Sequence, residues 1–255
     1  MADKAIRILV TGGTGLLGRA VVNRALSSGH PVTVLSRTAQ PVTDGVEYAT
    51  GDLASGPGAI PLDGVGAVVH CATTNGRRDE DLTRNLVDAV RAMDPQPHLV
   101  YISIVGIDDV PFPYYRAKLA CEKVIEGSGD RWTILRATQF HDLIERILSV
   151  QDRMPVVLVP RRVPDQPIDV GTVADRLVEL AEGSPAGHVE DIGGPEVRRF
   201  AQLAEVYLRA RGSRRRIVGL PVPGAFGRAL RDGKLTTPDR RAGTTFAEHV
   251  ASRWP

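Results

Sequence analysis

Cysteine is almost missing from this chain, and so are aromatic residues, a dominant charge sign and any long apolar run. The two cysteines, Cys71 and Cys121, lack the spacing of metal ligands and read as reduced thiols, so neither a disulfide-stapled fold nor a thiolate metal site is expected. Lys and Arg number 32 against 30 for Asp and Glu, a formal charge of +2. That near balance argues against nucleic-acid binding driven by net charge. No apolar run reaches membrane-spanning length, and the opening MADKAIRILV has an acidic residue and too short an apolar stretch for a signal peptide. These absences predict a cytoplasmic protein with a small-molecule partner, no nucleic acid and no membrane. Composition leaves a monomer and a homodimer both open.

Glycine is in good supply, with 26 residues, and it clusters in RILVTGGTGLLGRAVVNRAL, Arg7 to Leu26. Ile8 to Val10 look like a buried strand, while Leu16, Leu17, Val21, Val22, Ala25 and Leu26 recur at helical spacing. Between them lie Thr11, Gly12, Gly13, Thr14 and Gly15, with Gly18 just inside the helix. A strand that turns at once into a helix leaves N–H groups unpaired at the positive end of the helix dipole, where a phosphate fits. Glycine lets the phosphate oxygens come close to the backbone. The G-x-x-G-x-x-G spacing of Gly12, Gly15 and Gly18 is one residue longer in the turn than the G-x-G-x-x-G dinucleotide fingerprint. A tight connection without a ligand would carry the same glycines.

Short β-rich runs then alternate with helical patterns: PVTVLS (31–36), GVEYAT (45–50), AVVHCA (67–72), HLVYIS (98–103) and WTILRA (132–137). At 255 residues this alternation predicts an α/β fold with a doubly wound parallel sheet of the Rossmann kind, its ligand at the carboxyl ends of the strands. Residues 1–150 read as that nucleotide-binding core. After Ala137 the pattern loosens into two or three short strands and four modest helices, and 151–255 read as a small substrate-side α/β portion integrated with the core. Thr244 or Thr245 is placed to cap the last helix.

Three further strand ends extend the ligand site. Ser36 and Arg37 follow the second strand, where a carboxylate would bind the adenosine ribose of NAD. A guanidinium there pairs with a 2′-phosphate, so NADP(H) is expected rather than NAD(H). A solvated loop arginine is the plain alternative, and for Arg19 the two readings balance. Asp52 and Leu53 offer a carboxylate to the adenine amine and a backbone donor beside an apolar side chain, unless Asp52 caps its own turn. Cys71, Ala72 and Thr73 are small enough for a dinucleotide to cross the sheet above them.

Together TGGTGLLG, SRT, GDL, HCATT, YISIVG, YYRAK and WTILRATQF resemble the atypical short-chain dehydrogenase/reductases of the NmrA-like, NAD(P)H-binding branch. The similarity continues through IDVGTVADRLVEL, DIGGPE and TTFAEHVA, nearly the whole chain. Tyr114 and Lys118 have the Y-x-x-x-K spacing of the catalytic families; four residues apart they share a helix face, and the lysine charge lowers a phenol pKa from about 10. Tyr114 is therefore the expected acid/base. The resemblance implies that Lys118 also bonds the nicotinamide ribose, that Ser103 hydrogen-bonds the substrate oxygen, and that Gln139, Phe140 and His141 line the substrate site. Asp79 stands where the family often has a relay asparagine, with Asn85 further along, and Tyr115 adjoins Tyr114. YYRAK also fits a helix start with two packing tyrosines, and a lone histidine such as His141 fits a structural role. Trp132 and Trp254 read as packing residues, and RARGSRRR (209–216), without interleaved aromatics, as a solvated helix end.

The function implied is an NADP(H)-dependent reductase acting on a small carbonyl, quinone or similarly polarised molecule. The alternative is a non-catalytic NADP(H)-sensing regulator. A nucleotide-sugar epimerase or dehydratase shares the early motifs, but no sugar-nucleotide signature is visible in the C-terminal part.

Overall fold

Each of the six N-terminal runs read as a strand is one in the computed structural model, which describes residues 5–41, 44–74 and 76–254. The chain begins β1 (Ile8–Thr11), α1 (Leu16–Ser27), β2 (Val32–Ser36), β3 (Val46–Thr50), β4 (Ala67–His70), α2 (Arg78–Arg91) and β5 (His98–Ile104). It continues α3 (Pro113–Glu126), β6 (Trp132–Ala137), α4 (His141–Ser149), β7 (Val156–Pro160), β8 (Pro164–Asp165) and α5 (Val170–Glu182). The remainder is β9 (Gly187–His188), β10 (Arg198–Arg199), α6 (Phe200–Ala210), β11 (Arg216–Leu220), α7 (Gly224–Arg231) and α8 (Phe246–Arg253). The chain divides into two compact units. One comprises Met1–Ser103, Arg116–Leu135 and Val173–Glu190; the other comprises Ile104–Tyr115, Arg136–Thr172 and Asp191–Pro255.

The first unit carries the seven-stranded parallel sheet, in the order β3-β2-β1-β4-β5-β6-β9. β1 has β2 on one side and β4 on the other, so the winding reverses there, and the ends of β1 and β4 lie in register with Thr11 opposite His70. A doubly wound sheet binds its ligand outside the strand ends at that reversal. β1, β2 and β4 are buried on both faces, which explains why they read as apolar runs rather than as alternating patterns, whereas the edge-side β3 is only partly covered. Leu86, Val87 and Val90 of α2 and Cys121 and Ile125 of α3 pack with Leu9, Val68, Leu99, Tyr101 and Ile134 in one core. Each fully buried aliphatic side chain there contributes roughly 1.5–3 kcal/mol. The seventh strand, β9, escaped the sequence reading because two residues show no period; it pairs Gly187 with Thr133 and His188 with Ile134 at the sheet edge.

The second unit holds a parallel β7–β11 pair, an antiparallel β8–β10 pair and its own core of Ile144, Leu148, Val157, Val159, Phe200, Leu203, Tyr207, Phe246 and Val250. The last helix is capped as expected by Thr245, which accepts from the Glu248 N–H while Glu248 returns to the Thr245 N–H. The RARGSRRR run keeps Arg209, Arg211, Arg214 and Arg216 exposed and also has partners: Arg211 and Arg215 each reach Asp152 at 3.2 Å, and Arg215 donates to the Gln151 carbonyl at 2.6 Å. A carboxylate brought from the segment after α4 thus neutralises part of the charge of this solvated run. No helix among the described residues is long and apolar enough to cross a membrane.

Candidate cofactor and active site

The glycine turn separates its glycines by task. Gly12 has φ +70, and a Cβ on it would meet the Ala72 backbone at 2.7 Å. On Gly13 a Cβ would strike the Val34 side chain at 2.7 Å, and on Gly18 the Gly12 carbonyl oxygen at 2.1 Å. These three are demanded by packing. Gly15 is exposed, and its Cβ would meet only the Gly12 oxygen, at 3.2 Å. It is also the N-cap of α1, with no side-chain cap and no acidic residue in the first turn. The helix N-terminus therefore keeps its unpaired donors for an anion, which is the arrangement a dinucleotide pyrophosphate requires. Thr14 and Leu16 are exposed beside it, whereas Leu17 is turned into the core and can meet a ligand only through its backbone.

The other strand ends are occupied unequally. The Ser36 hydroxyl donates to the Thr38 carbonyl at 2.7 Å and is committed to its own turn. Arg37 is exposed and forms no ion pair among the described residues. Asp52 does cap its own turn, accepting from the Ala54 N–H at 3.0 Å through Oδ1. Leu53 is buried in the core, and its carbonyl accepts from Asn85 at 2.7 Å, which gives that asparagine a structural partner. Beyond β4, Cys71 and Ala72 are half-buried and Thr73 exposed. Burial pushes the Cys71 thiol up to about 12 against the pull of the Lys118 charge, so it is unreactive near neutrality. Asp79 is buried and accepts from the Thr73 hydroxyl at 2.5 Å and from the Thr74 N–H and hydroxyl at 2.5 and 2.6 Å.

Tyr114 and Lys118 lie one helical turn apart on α3. Lys118 is buried, donates to the Ile102 carbonyl at 2.9 Å and stands 4.2 Å from the centroid of the Tyr101 ring. Desolvation lowers its pKa, and nearby Cys121, Asp79, Cys71 and Glu122 work in the opposite sense. The Ser103 side chain is buried, with no partner for its hydroxyl oxygen among the described residues. The two adjacent tyrosines are not equivalent. Tyr114 is half-buried, while Tyr115 is buried, accepts from Gln139 Nε2 at 3.3 Å and has its phenol pKa raised, chiefly by desolvation and further by Asp165 and Tyr114.

In the second unit Gln139 and Phe140 are half-buried at the end of β6, tied to the 168 segment by the Ile168 N–H to Gln139 carbonyl bond at 2.9 Å. His141 is buried, donates from Nε2 to the Thr244 carbonyl at 2.8 Å and packs against His249 and Phe246. Burial holds it below the usual imidazole range. Asp142 and Glu145 beside it are already bridged by Arg253 at 2.7 and 2.9 Å, so a built-in cation serves that carboxylate pair. A residue that the sequence did not single out is Asp165 on β8. Its carboxyl is buried, Oδ1 has no partner among the described residues, and desolvation raises its pKa to about 7 against the Gln166 backbone N–H. Asp within VPDQP has no local signal of burial; only the β8–β10 pairing puts it inside.

Asp165 makes stability depend on pH in a stated direction. In the unfolded chain its carboxyl ionises near its ordinary value of about 3.9, in the folded chain near 7. Between those values the unfolded state releases the proton first, so stability is lost as pH rises through the window. The melting midpoint of Asp165→Asn is expected to gain on the parent at pH 8 and to gain much less at pH 4. Parallel melting curves at both pH values would overturn this.

Residues 12–182 match the family model described as NAD(P)H-binding, and the chain belongs to that family. Among curated relatives it is similar to a chloroplastic divinyl chlorophyllide a 8-vinyl-reductase of Oryza sativa subsp. indica, 25% identical over 255 aligned residues, covering 87% of this chain and 63% of that protein. A photosystem II assembly factor of Trieres chinensis is 30% identical over 167 residues, 59% of this chain and 52% of that one. The chain thus spans a little over half of the length of these relatives. Among solved structures, an NADPH-dependent quinone oxidoreductase from Escherichia coli in complex with NADPH aligns with a TM-score of 0.80 at 18% identity, over 97% of this chain and all of that one. A UDP-N-acetylglucosamine 4-epimerase from Bacillus cereus aligns at 0.73 and 20% identity, over 97% and 95%. Both likenesses show the fold alone: a doubly wound α/β sheet of the Rossmann kind.

Proposed function

We propose that the protein is an NADP(H)-dependent oxidoreductase that reduces a small carbonyl, quinone or similarly polarised substrate, with Tyr114 as acid/base. The observation that carries this reading is the contrast on α3. A half-buried phenol stands one turn before a buried lysine, while the neighbouring Tyr115 phenol is sequestered and held protonated. Bound NADPH would supply the hydride. Tyr114 gives its phenolic proton to the substrate oxygen that receives the displaced electron pair, and the Lys118 charge stabilises the phenolate until solvent reprotonates it. Ser103 orients that oxygen, and Gln139, Phe140 and His141 belong to the substrate side. Relatives named as a vinyl reductase and a quinone oxidoreductase support the reaction class. A panel of quinones and carbonyls read by NADPH consumption tests it. A protein that binds NADPH tightly and reduces none of them would instead fit a cofactor-binding regulator, the reading that the assembly-factor relative favours.

Arg37, exposed after β2 and without an ion pair among the described residues, carries the preference for NADP(H) in this reading. Arg37→Ala is expected to weaken NADPH binding by roughly 1–3 kcal/mol and to leave NADH almost unchanged, as loss of a charge-assisted contact does. Calorimetry with both cofactors measures this. Equal affinities in the parent protein would remove the basis for the assignment.

A further inference from the structure

At the sheet reversal a single buried side chain joins the two strand ends that flank the ligand. His70, the last residue of β4, accepts or donates at 2.7 Å with the Thr11 hydroxyl through Nδ1 and at 3.1 Å with the Thr83 hydroxyl through Nε2. The Nε2–H tautomer satisfies every bond at once, whereas the Nδ1–H tautomer would draw the Thr83 proton away from the Asp79 carbonyl. In the first, Thr83 spends its proton on the Asp79 carbonyl at 2.7 Å, so its oxygen accepts from Nε2–H. Nδ1 is then bare and accepts from Thr11 O–H, whose oxygen in turn takes the Ala72 N–H at 3.4 Å. The result is one oriented chain from Ala72 through Thr11, His70 and Thr83 to Asp79. The Asp79 carboxylate then grips Thr73 and Thr74.

We propose that His70, as a neutral Nε2–H imidazole, is a positioning residue of the cofactor site. It ties the Thr11 entry to the glycine turn to the Thr73–Thr74 segment beyond β4, so that one side chain sets the spacing of the two segments that flank the dinucleotide. The proposal rests on the reading of those segments as the cofactor site. The surroundings agree with an uncharged ring. His70 stacks on Tyr101 with centroids 5.3 Å apart, and the Lys118 ammonium stands over that same Tyr101 ring. Desolvation first, then the Lys118 charge, hold the imidazole down to about 3 despite the opposing charge of Asp79. A protonated His70 would also lose its acceptor and release Thr11.

Two measurements test this. Long-range proton–nitrogen NMR of the histidine rings is expected to show His70 with Nε2 protonated, Nδ1 bare and no titration from about pH 8 to pH 5; the inverted tautomer, or titration inside that range, overturns the proposal. Calorimetry with NADPH is then carried out on folded protein well below its melting transition. His70→Leu, which removes both arms, is expected to raise Kd roughly tenfold or more, and Thr83→Val, which removes one arm, by a few-fold, since each net hydrogen bond is worth about one kcal/mol. His70→Asn, which keeps an acceptor near the Nδ1 position, should fall between the parent and His70→Leu. A purely structural role would lower the melting temperature and leave Kd unchanged in all three variants, and that result overturns the proposal. Should His70→Leu fail to fold, Thr83→Val, His70→Asn and the NMR tautomer decide. Failure of the underlying reading is distinguishable: there Gly15→Val would bind NADPH like the parent, whereas failure of this proposal leaves Gly15→Val defective and the His70 variants normal.

Discussion

Tyr114→Phe is expected to lower turnover on any substrate that the quinone and carbonyl panel identifies by about 10²- to 10⁴-fold, the usual worth of a positioned acid or base. The substitution keeps the ring and removes only the hydroxyl, so NADPH affinity should hardly change. Tyr115→Phe is expected to cost far less, because that phenol is buried, accepts a hydrogen bond from Gln139 and is held protonated by desolvation. Its loss would break a packing contact rather than a proton path. Comparing kcat and kcat/KM for the two variants separates lost chemistry from lost binding. An exchange of the two effects would assign the reaction to Tyr115, and full activity in both would remove tyrosine from the mechanism.

Gly15→Val is expected to abolish NADPH binding while leaving the fold intact. The backbone at Gly15 is already extended, with φ −78 and ψ 176, a conformation that valine adopts readily. Its Cβ would touch only the Gly12 carbonyl, at 3.2 Å, and the two methyl groups would stand where a pyrophosphate must approach the uncapped N-terminus of α1. Circular dichroism should therefore match the parent while calorimetry shows no NADPH heat. Gly18→Ala makes the contrast. Its Cβ would lie 2.1 Å from the Gly12 oxygen, so it should destabilise the fold itself by roughly 1–3 kcal/mol or more. Normal NADPH binding by folded Gly15→Val would show that the turn serves packing alone.

Much of this molecule was legible in one dimension because buried parallel strands announce themselves. Ile8–Thr11, Val32–Ser36 and Ala67–His70 are covered on both faces, so they appear as unbroken apolar runs. The glycine cluster between such a run and a helix could be placed at a strand end without coordinates, as could the one-turn spacing of Tyr114 and Lys118. The ion pairs of the RARGSRRR run were not legible, because the sequence gives no hint that Asp152, more than fifty residues earlier, returns to meet Arg211 and Arg215. β9 was missed for a related reason: a two-residue edge strand is defined by its neighbours and has no pattern of its own.

The sequence by itself determined the doubly wound class, the position of the glycine turn and the absence of an acidic residue after the second strand, because each depends on local pattern or on residue type at a strand end. Only the tertiary structure separates the four glycines of the turn, since a Cβ would strike the Ala72 backbone from Gly12, the Val34 side chain from Gly13 and the Gly12 carbonyl oxygen at 2.1 Å from Gly18, but would meet that oxygen at only 3.2 Å from Gly15. It also distinguishes the two tyrosines, leaving Tyr114 half-buried and burying Tyr115 with Gln139 donating to its phenol, and it buries the Asp165 carboxyl with no partner for Oδ1 among the described residues. The bond network of His70 belongs to the same class. Its partners come from β1 and α2, and a histidine in HCATT carries no mark of being neutral. Burial and long-range hydrogen bonding are properties of the assembled fold, and the chemistry of these side chains follows from them.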